Sequence, residues 1–182
     1  MQKVRRNRGL RLIAGVVRVT DRMMESIGRL ASWCCLLLVL VVGFDVGLRY
    51  LGNRSFVASR DLEWWLFSLI FLLGGGFTLS HDQHVRVDIF YQRLGSRGRA
   101  LINLAGVLLL LLPGCWLVIA TSLPFVAQSW QLREGSPDPG GLPAWYLIKA
   151  AIPLGFGLLL VQGISFFCRN LLLLCGRRPE EG

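Results

Sequence analysis

Few residues in this sequence of 182 are placed to do chemistry, and most stand where long apolar runs begin or end. Asp45 and Arg49 are four residues apart, a spacing that puts two side chains on one helix face, where carboxylate and guanidinium can pair. An intramembrane carboxylate is a functional candidate by default, yet Asp45 lies only about one turn from the end of its run. Two readings stand for it: a structural ion pair, and a role in coupling or partner contact. His81, His84 and Asp88 could just form a metal site, but three scattered ligands on a basic loop carry little weight. Local pairing, such as Asp88 with Arg86, is the plainer reading, and no metal or cofactor is expected. Asp61 and Glu63 fall where a helix would begin, with Ser59 able to cap it and the acids opposing its dipole. Gln162 is the one strongly polar residue inside its apolar run, where such a side chain bonds to a neighbouring helix. Cys34, Cys35, Cys115, Cys168 and Cys175 read as small packing residues.

The elements that must hold these residues follow from the apolar runs. Hydrophobic residues make up 53% of the chain and charged ones 17%, with a mean hydropathy of +0.53. In water such runs would need a larger core than this length can enclose, whereas lipid solvates them. No charge occurs from Leu30 to Phe44, Trp64 to Ser80, Ala100 to Leu132 or Ala150 to Cys168. A hydrocarbon slab of about 30 Å takes roughly 20 helical residues. The reading is an all-α integral membrane protein with four spans, near 27–48, 63–80, 100–124 and 145–169. Residues 1–26 form a basic N-terminal segment, 27–169 the four-helix domain and 170–182 a tail. A barrel would show alternating segments of about ten residues instead.

The net charge of +9 invites nucleic acid as a partner, but its distribution argues for topology. Fifteen of the 20 Lys and Arg lie in the N-terminal segment, the second loop and the tail, against five on the other side. Cytoplasmic loops carry that excess, so both termini and the second loop are expected in the cytoplasm and no nucleic acid is expected. Tyr50, Trp64, Trp65, Trp130, Trp145 and Tyr146 fall at the opposite ends of the spans, as an interfacial aromatic belt requires. No cleavable signal is expected: Arg18 ends the first short apolar run and no small-residue cleavage site follows.

Residues 10–28 read as an amphipathic helix, with Arg11, Arg18, Arg22, Glu25 and Arg29 on one face and Ile13, Val16, Thr20, Met23, Met24 and Ile27 on the other. Such a segment lies in the interface, with Gly28 as the bend into the first span; one long protruding helix is the alternative. Gly74, Gly75 and Gly76 predict a close-packing face. Pro113-Gly114 predicts a kink in the third span, which reaches Pro124. Pro153 and Gly155-Phe156-Gly157 interrupt the fourth. Between these spans, Ser136-Pro137-Asp138-Pro139-Gly140-Gly141-Leu142-Pro143 is a rigid turn, and with Arg133 and Glu134 before it this is the candidate docking surface.

Several pieces in order resemble the DctQ-type small membrane subunit of tripartite ATP-independent periplasmic (TRAP) transporters. They are Arg49-Tyr50, Asp61-Leu62-Glu63-Trp64, Phe71-Leu72-Leu73-Gly74, His84-Val85-Arg86-Val87-Asp88-Ile89-Phe90-Tyr91, Leu112-Pro113, Pro124-Phe125-Val126, Ser129-Trp130 and Asp138-Pro139-Gly140-Gly141-Leu142-Pro143. The resemblance runs from about Leu48 to Arg169, most of the chain. Asp61 stands where the first Glu is more usual, and Gly75-Gly76 where small alanines are commoner. The resemblance implies a bacterial inner-membrane protein beside a large multi-helix permease subunit, which carries the substrate and sodium sites. It implies a periplasmic substrate-binding protein that delivers an organic acid, and a small subunit that scaffolds and helps dock. Independently, the two helix pairs are unlike one another and no carboxylate lies at the centre of a span, so the inverted repeats of a complete transporter are missing.

Two other classes compete. A self-sufficient four-helix exporter acting as a dimer would use Asp45 as proton carrier, but needs its acid near mid-membrane and a weaker charge bias. A haem enzyme would need histidines within the spans, and a disulfide-generating enzyme would need cysteines at the external face.

Overall fold

The computed structural model describes residues 2–52, 56–81 and 95–174, with side-chain surroundings from Gly15 onward apart from Ser96. The described elements are α1 (Gln2–Gly52), α2 (Val57–Ser80), α3 (Ser96–Gly106), a π-helical turn (Val107–Leu111), α4 (Leu112–Gln131) and α5 (Tyr146–Leu174). Among the described residues, four helical stretches are long and apolar enough to cross a membrane: Gly15–Gly52, Val57–Ser80, Arg97–Gln131 and Tyr146–Leu174. These correspond one to one with the four expected spans, and the chain is an all-α, multi-pass membrane protein. Large apolar side chains cover the outside, among them Trp33, Phe71, Leu110 and Trp116, because the surrounding medium is hydrocarbon rather than water.

The bend expected at Gly28 is absent. α1 is one helix of 51 residues, about 75 Å at 1.5 Å per residue, more than twice the hydrocarbon thickness. Gly28 serves a different purpose. It is buried, and a Cβ there would run into the ring of Phe77 on α2. One turn earlier Met24 is fully buried, its sulfur 2.8 Å from where a Cβ on Gly76 would stand. The same face carries buried Thr20 and Ala31. The apolar stripe expected to lie on a membrane surface therefore packs, in part, against the bundle, while Val16 and Met23 stay exposed.

α5 is the centre of the architecture. It touches α1, α2, α3, the π-helical turn and α4, whereas α1 packs on α2 and α5 alone among the principal contacts. A third of its most apolar stretch is buried (33%), against 11% for the first and third spans. Glycines permit its close approaches: a Cβ on Gly155 would lie 2.8 Å from Leu72 Cβ and 3.0 Å from Leu72 O, and one on Gly163 would meet Leu111. Association in lipid relies on such small-residue packing. The expected interruption of α5 is absent, since the helix runs through both Pro153 and Gly155-Phe156-Gly157. In the third span the disturbance expected at Pro113-Gly114 appears as the π-helical turn just before it. Pro113 has no N–H for the carbonyl four residues back, so the ladder widens there. Pro124 does not end that span, because α4 continues to Gln131.

Candidate functional site

Polar side chains gather at the two ends of the bundle. One end, where α1 ends, α2 begins and α4 meets α5, is termed the loop end. The other, where α2 ends and α3 begins, is the basic end.

At the loop end Asp45 is buried (6% exposed). Its Oδ2 accepts from Arg49 Nη2 at 2.8 Å, the pair that the four-residue spacing predicts. Its Oδ1 accepts from Ser59 Oγ at 2.9 Å. Ser59 is thus not the cap of α2: the helix begins at Val57, Phe56 holds the N-cap position, and the hydroxyl joins α2 to α1. Asp45 thus holds a guanidinium and a hydroxyl near the end of its span, away from the mid-membrane position of the proton carrier an exporter needs.

Asp61 departs further from expectation. It lies beyond the first turn of α2, is buried (6% exposed), and its Oδ2 accepts from the backbone N–H of Leu142 at 2.8 Å, across 81 residues of sequence. The carboxylate that reads as a dipole partner is a clamp on the Pro/Gly turn. Gly141 allows the approach, because a Cβ there would collide with Asp61 Oδ2 and Ser136 Oγ. Glu63, two residues along the helix, is half-buried.

The turn is knit internally as well. Ser136 N donates to Leu142 O (3.0 Å), Gly141 N to Asp138 O (3.1 Å) and Trp145 N to Glu134 O (2.9 Å). Gly140 has φ +84° and Arg133 φ +46°, so the chain reverses through left-handed residues at both places. Glu134 pairs with Lys149 of α5, whose ammonium also lies 4.2 Å from the centre of the Phe125 ring. That ammonium holds the Glu134 carboxyl below the usual carboxylate range. Trp130 and Tyr146 meet edge to face at 4.6 Å between centroids. Arg133 is exposed beside this fixed surface.

At the basic end Gln162 is fully buried, and its Nε2 donates to Asp21 Oδ1 at 2.9 Å. The bond to a neighbouring helix is as predicted; its acceptor was not, because Asp21 reads as one acid in a basic stretch. Arg169 lies 4.0 Å from Asp21 and donates to the last carbonyl of α2, Ser80 O, at 3.2 Å. Asn103 Nδ2 donates to Asn170 Oδ1 at 3.0 Å, and His81 Nε2 lies 3.6 Å from Glu25. His84, Arg86 and Asp88 lie outside the described residues. Among the described residues no group of three metal-ligating side chains forms, and Cys34, Cys35, Cys115 and Cys168 carry free thiols.

Of the glycine triplet only Gly76 is an internal contact. Beside Gly74 and Gly75 there is open space, on a helix whose Trp64, Phe67 and Phe71 are exposed.

The sequence matches the family described as "Tripartite ATP-independent periplasmic transporters, DctQ component" over residues 38–173. The chain belongs to the DctQ family. The matched stretch takes in the end of α1 and every later span, both polar clusters save Asp21 and Glu25, and the clamped turn. Comparison with curated proteins finds no match. DctQ proteins are the small membrane component of TRAP systems, so this chain is a transporter subunit, in a class that works with a large permease and a substrate-binding protein.

Proposed function

We propose that this DctQ protein is the accessory and scaffold subunit of a sodium-driven importer of an organic acid in a bacterial inner membrane. In this reading the basic end and both termini face the cytoplasm, and the loop end faces the periplasm, where the substrate-binding protein docks. The large permease subunit packs on the exposed face of α2. The observation that carries the docking role is the Asp61 clamp. A turn held by a buried carboxylate, by its own backbone bonds and by the Glu134–Lys149 pair loses little entropy when a partner lands on it. Arg133 offers a charge at its edge, while Gly74 and Gly75 offer an opening for a second helix.

The test is reconstitution of this chain alone, the large subunit alone, and both, each with binding protein and a sodium gradient. Uptake is expected only from the pair. Robust uptake by this chain alone would restore the exporter, and undiminished uptake by the large subunit alone would remove the scaffold role. Two glycine variants separate partner contact from internal packing. Gly75→Leu, projecting into open space, is expected to weaken co-purification with the large subunit at unchanged membrane yield. Gly76→Leu, pressing on Met24 and Leu158, is expected to lower the yield of the folded chain itself, since overpacking costs about 1–3 kcal/mol.

A further inference from the structure

α4 ends in a Schellman motif. The N–H of Glu134 donates to Ser129 O and that of Arg133 to Trp130 O, each at 3.1 Å. Arg133 therefore follows the C-cap Leu132, at the position where the backbone turns left-handed. Glycine is the usual residue there, because a Cβ makes a positive φ costly. The chain follows that rule at Gly140, with φ +84°, but at φ +46° it places Arg133. The side chain is exposed, and among the described residues no carboxylate pairs with it. The acids of this end are mostly engaged within the fold: Asp45 holds Arg49 and Ser59, Asp61 holds Leu142, and Glu134 holds Lys149. Asp138 is exposed, and so is Arg60, next in sequence to the clamp residue Asp61.

We propose that Arg133, supported by Arg60, is the specificity contact for an acidic patch on the binding protein, an inference that rests on the docking role proposed for the loop end. A guanidinium meets a carboxylate in planar, two-pronged bonds. The backbone carrying it is fixed on both sides, by α4 and by the bond from Trp145 N to Glu134 O at 2.9 Å. Anionic lipid also attracts guanidinium, but fluid headgroups gather around a cation on ordinary helix, as at Arg60. A left-handed backbone spent on one cation suits a partner whose own surface is fixed.

The complex of this chain with the large subunit, held in phosphatidylcholine nanodiscs, is presented to the cognate substrate-binding protein, and association is followed by interferometry. Association should slow as salt rises, because exposed charges are screened. Arg133→Gly should slow it about tenfold, with the thermal stability of the complex equal or higher, since glycine relieves the left-handed backbone. Arg133→Lys should fall between, keeping the charge without the planar fork. Arg133→Glu should be the slowest, and an acid-to-lysine exchange on the binding protein should restore it. Arg60→Gln should act in the same direction by less. Unchanged association with both Arg133→Gly and Arg133→Glu would overturn the proposal and leave the docking role standing. Undiminished binding to the large subunit alone would remove that role and the proposal with it. An effect confined to nanodiscs containing phosphatidylglycerol would assign Arg133 to lipid, and a marked fall in stability with Arg133→Gly would assign it to the fold; either overturns the proposal.

Discussion

The two ends of the bundle use carboxylates for different jobs. At the loop end Asp61 holds backbone, accepting from Leu142 N–H at 2.8 Å and so setting the shape of a turn that reaches out of the membrane. At the basic end Asp21 holds side chains, Gln162 at 2.9 Å and Arg169 at 4.0 Å, and so joins α1 to α5. Asp61 is 6% exposed, whereas the Asp21 side chain is 33% exposed. The contrast teaches where stiffness is concentrated. A buried carboxylate on a backbone donor fixes a loop, because that donor has no water to turn to. A part-exposed acid between side chains holds less rigidly, because solvent competes for the acid and for Arg169, although the Gln162 amide it accepts from is fully buried.

The largest effect should come from breaking the clamp. Asp61→Ala leaves the Leu142 N–H unpaired, and a bond to a charged acceptor contributes about 1.5–3 kcal/mol. Exchange of the amides of 136–143 with deuterium should accelerate by about ten- to a hundredfold, with the α2 amides unaffected. Asp61→Asn keeps an acceptor and should fall between. Unchanged exchange in the alanine variant would erase the difference drawn between the two ends.

Asp21→Ala should come next, because it strands a fully buried Gln162 amide. A loss of about 1–2 kcal/mol in the denaturation of the purified chain is expected, without faster exchange in the turn. Gln162→Leu should cost less than Asp21→Ala. It removes the Nε2 donor together with Oε1, which is buried with no described partner, and replacing a polar group along with its unmet need can be nearly neutral. A cost for Gln162→Leu equal to that of Asp61→Ala would mean that the basic end is as rigidly held as the loop end.

The smallest effect is with pH. Glu134 has its folded-state pKa lowered by Lys149, so its contribution is fully present above the unfolded value of about 4.3. That contribution is lost as pH falls through the folded value below it. Thiol labelling of an Asp138→Cys variant, made without the native cysteines, should be flat from neutral pH down to about 5 after correction for thiolate fraction, and rise only in stronger acid. Glu134→Gln should remove the rise. A transition near neutral pH would point to a different titrating group.

Particular residues show how far the sequence could be read. Asp45–Arg49 was legible because both partners share one helix face, and helical spacing is local. Gln162 was legible as a residue in need of a partner, but that partner lies 141 positions away, and nothing near Asp21 marks it. Asp61 was misread for the same reason: its neighbours suggest a helix start, while its donor arrives from the far side of the third span. The glycine triplet promised one packing face, yet only Gly76 meets another helix inside the chain, and that depends on the rotation of α2 against Met24 and Leu158.

The number of spans, their order and the charge asymmetry between loops were determined by sequence alone. They depend on the length of apolar runs and on where Lys and Arg stand, properties that lipid reads segment by segment. Only the tertiary structure decided that α1 is unbroken at Gly28, that α5 is the centre, and that Asp61 clamps a distant turn. In lipid the apolar drive between helices is weak, and their arrangement is set by which small residues and polar pairs meet across helices. Those meetings join positions far apart in the chain, where no local pattern records them.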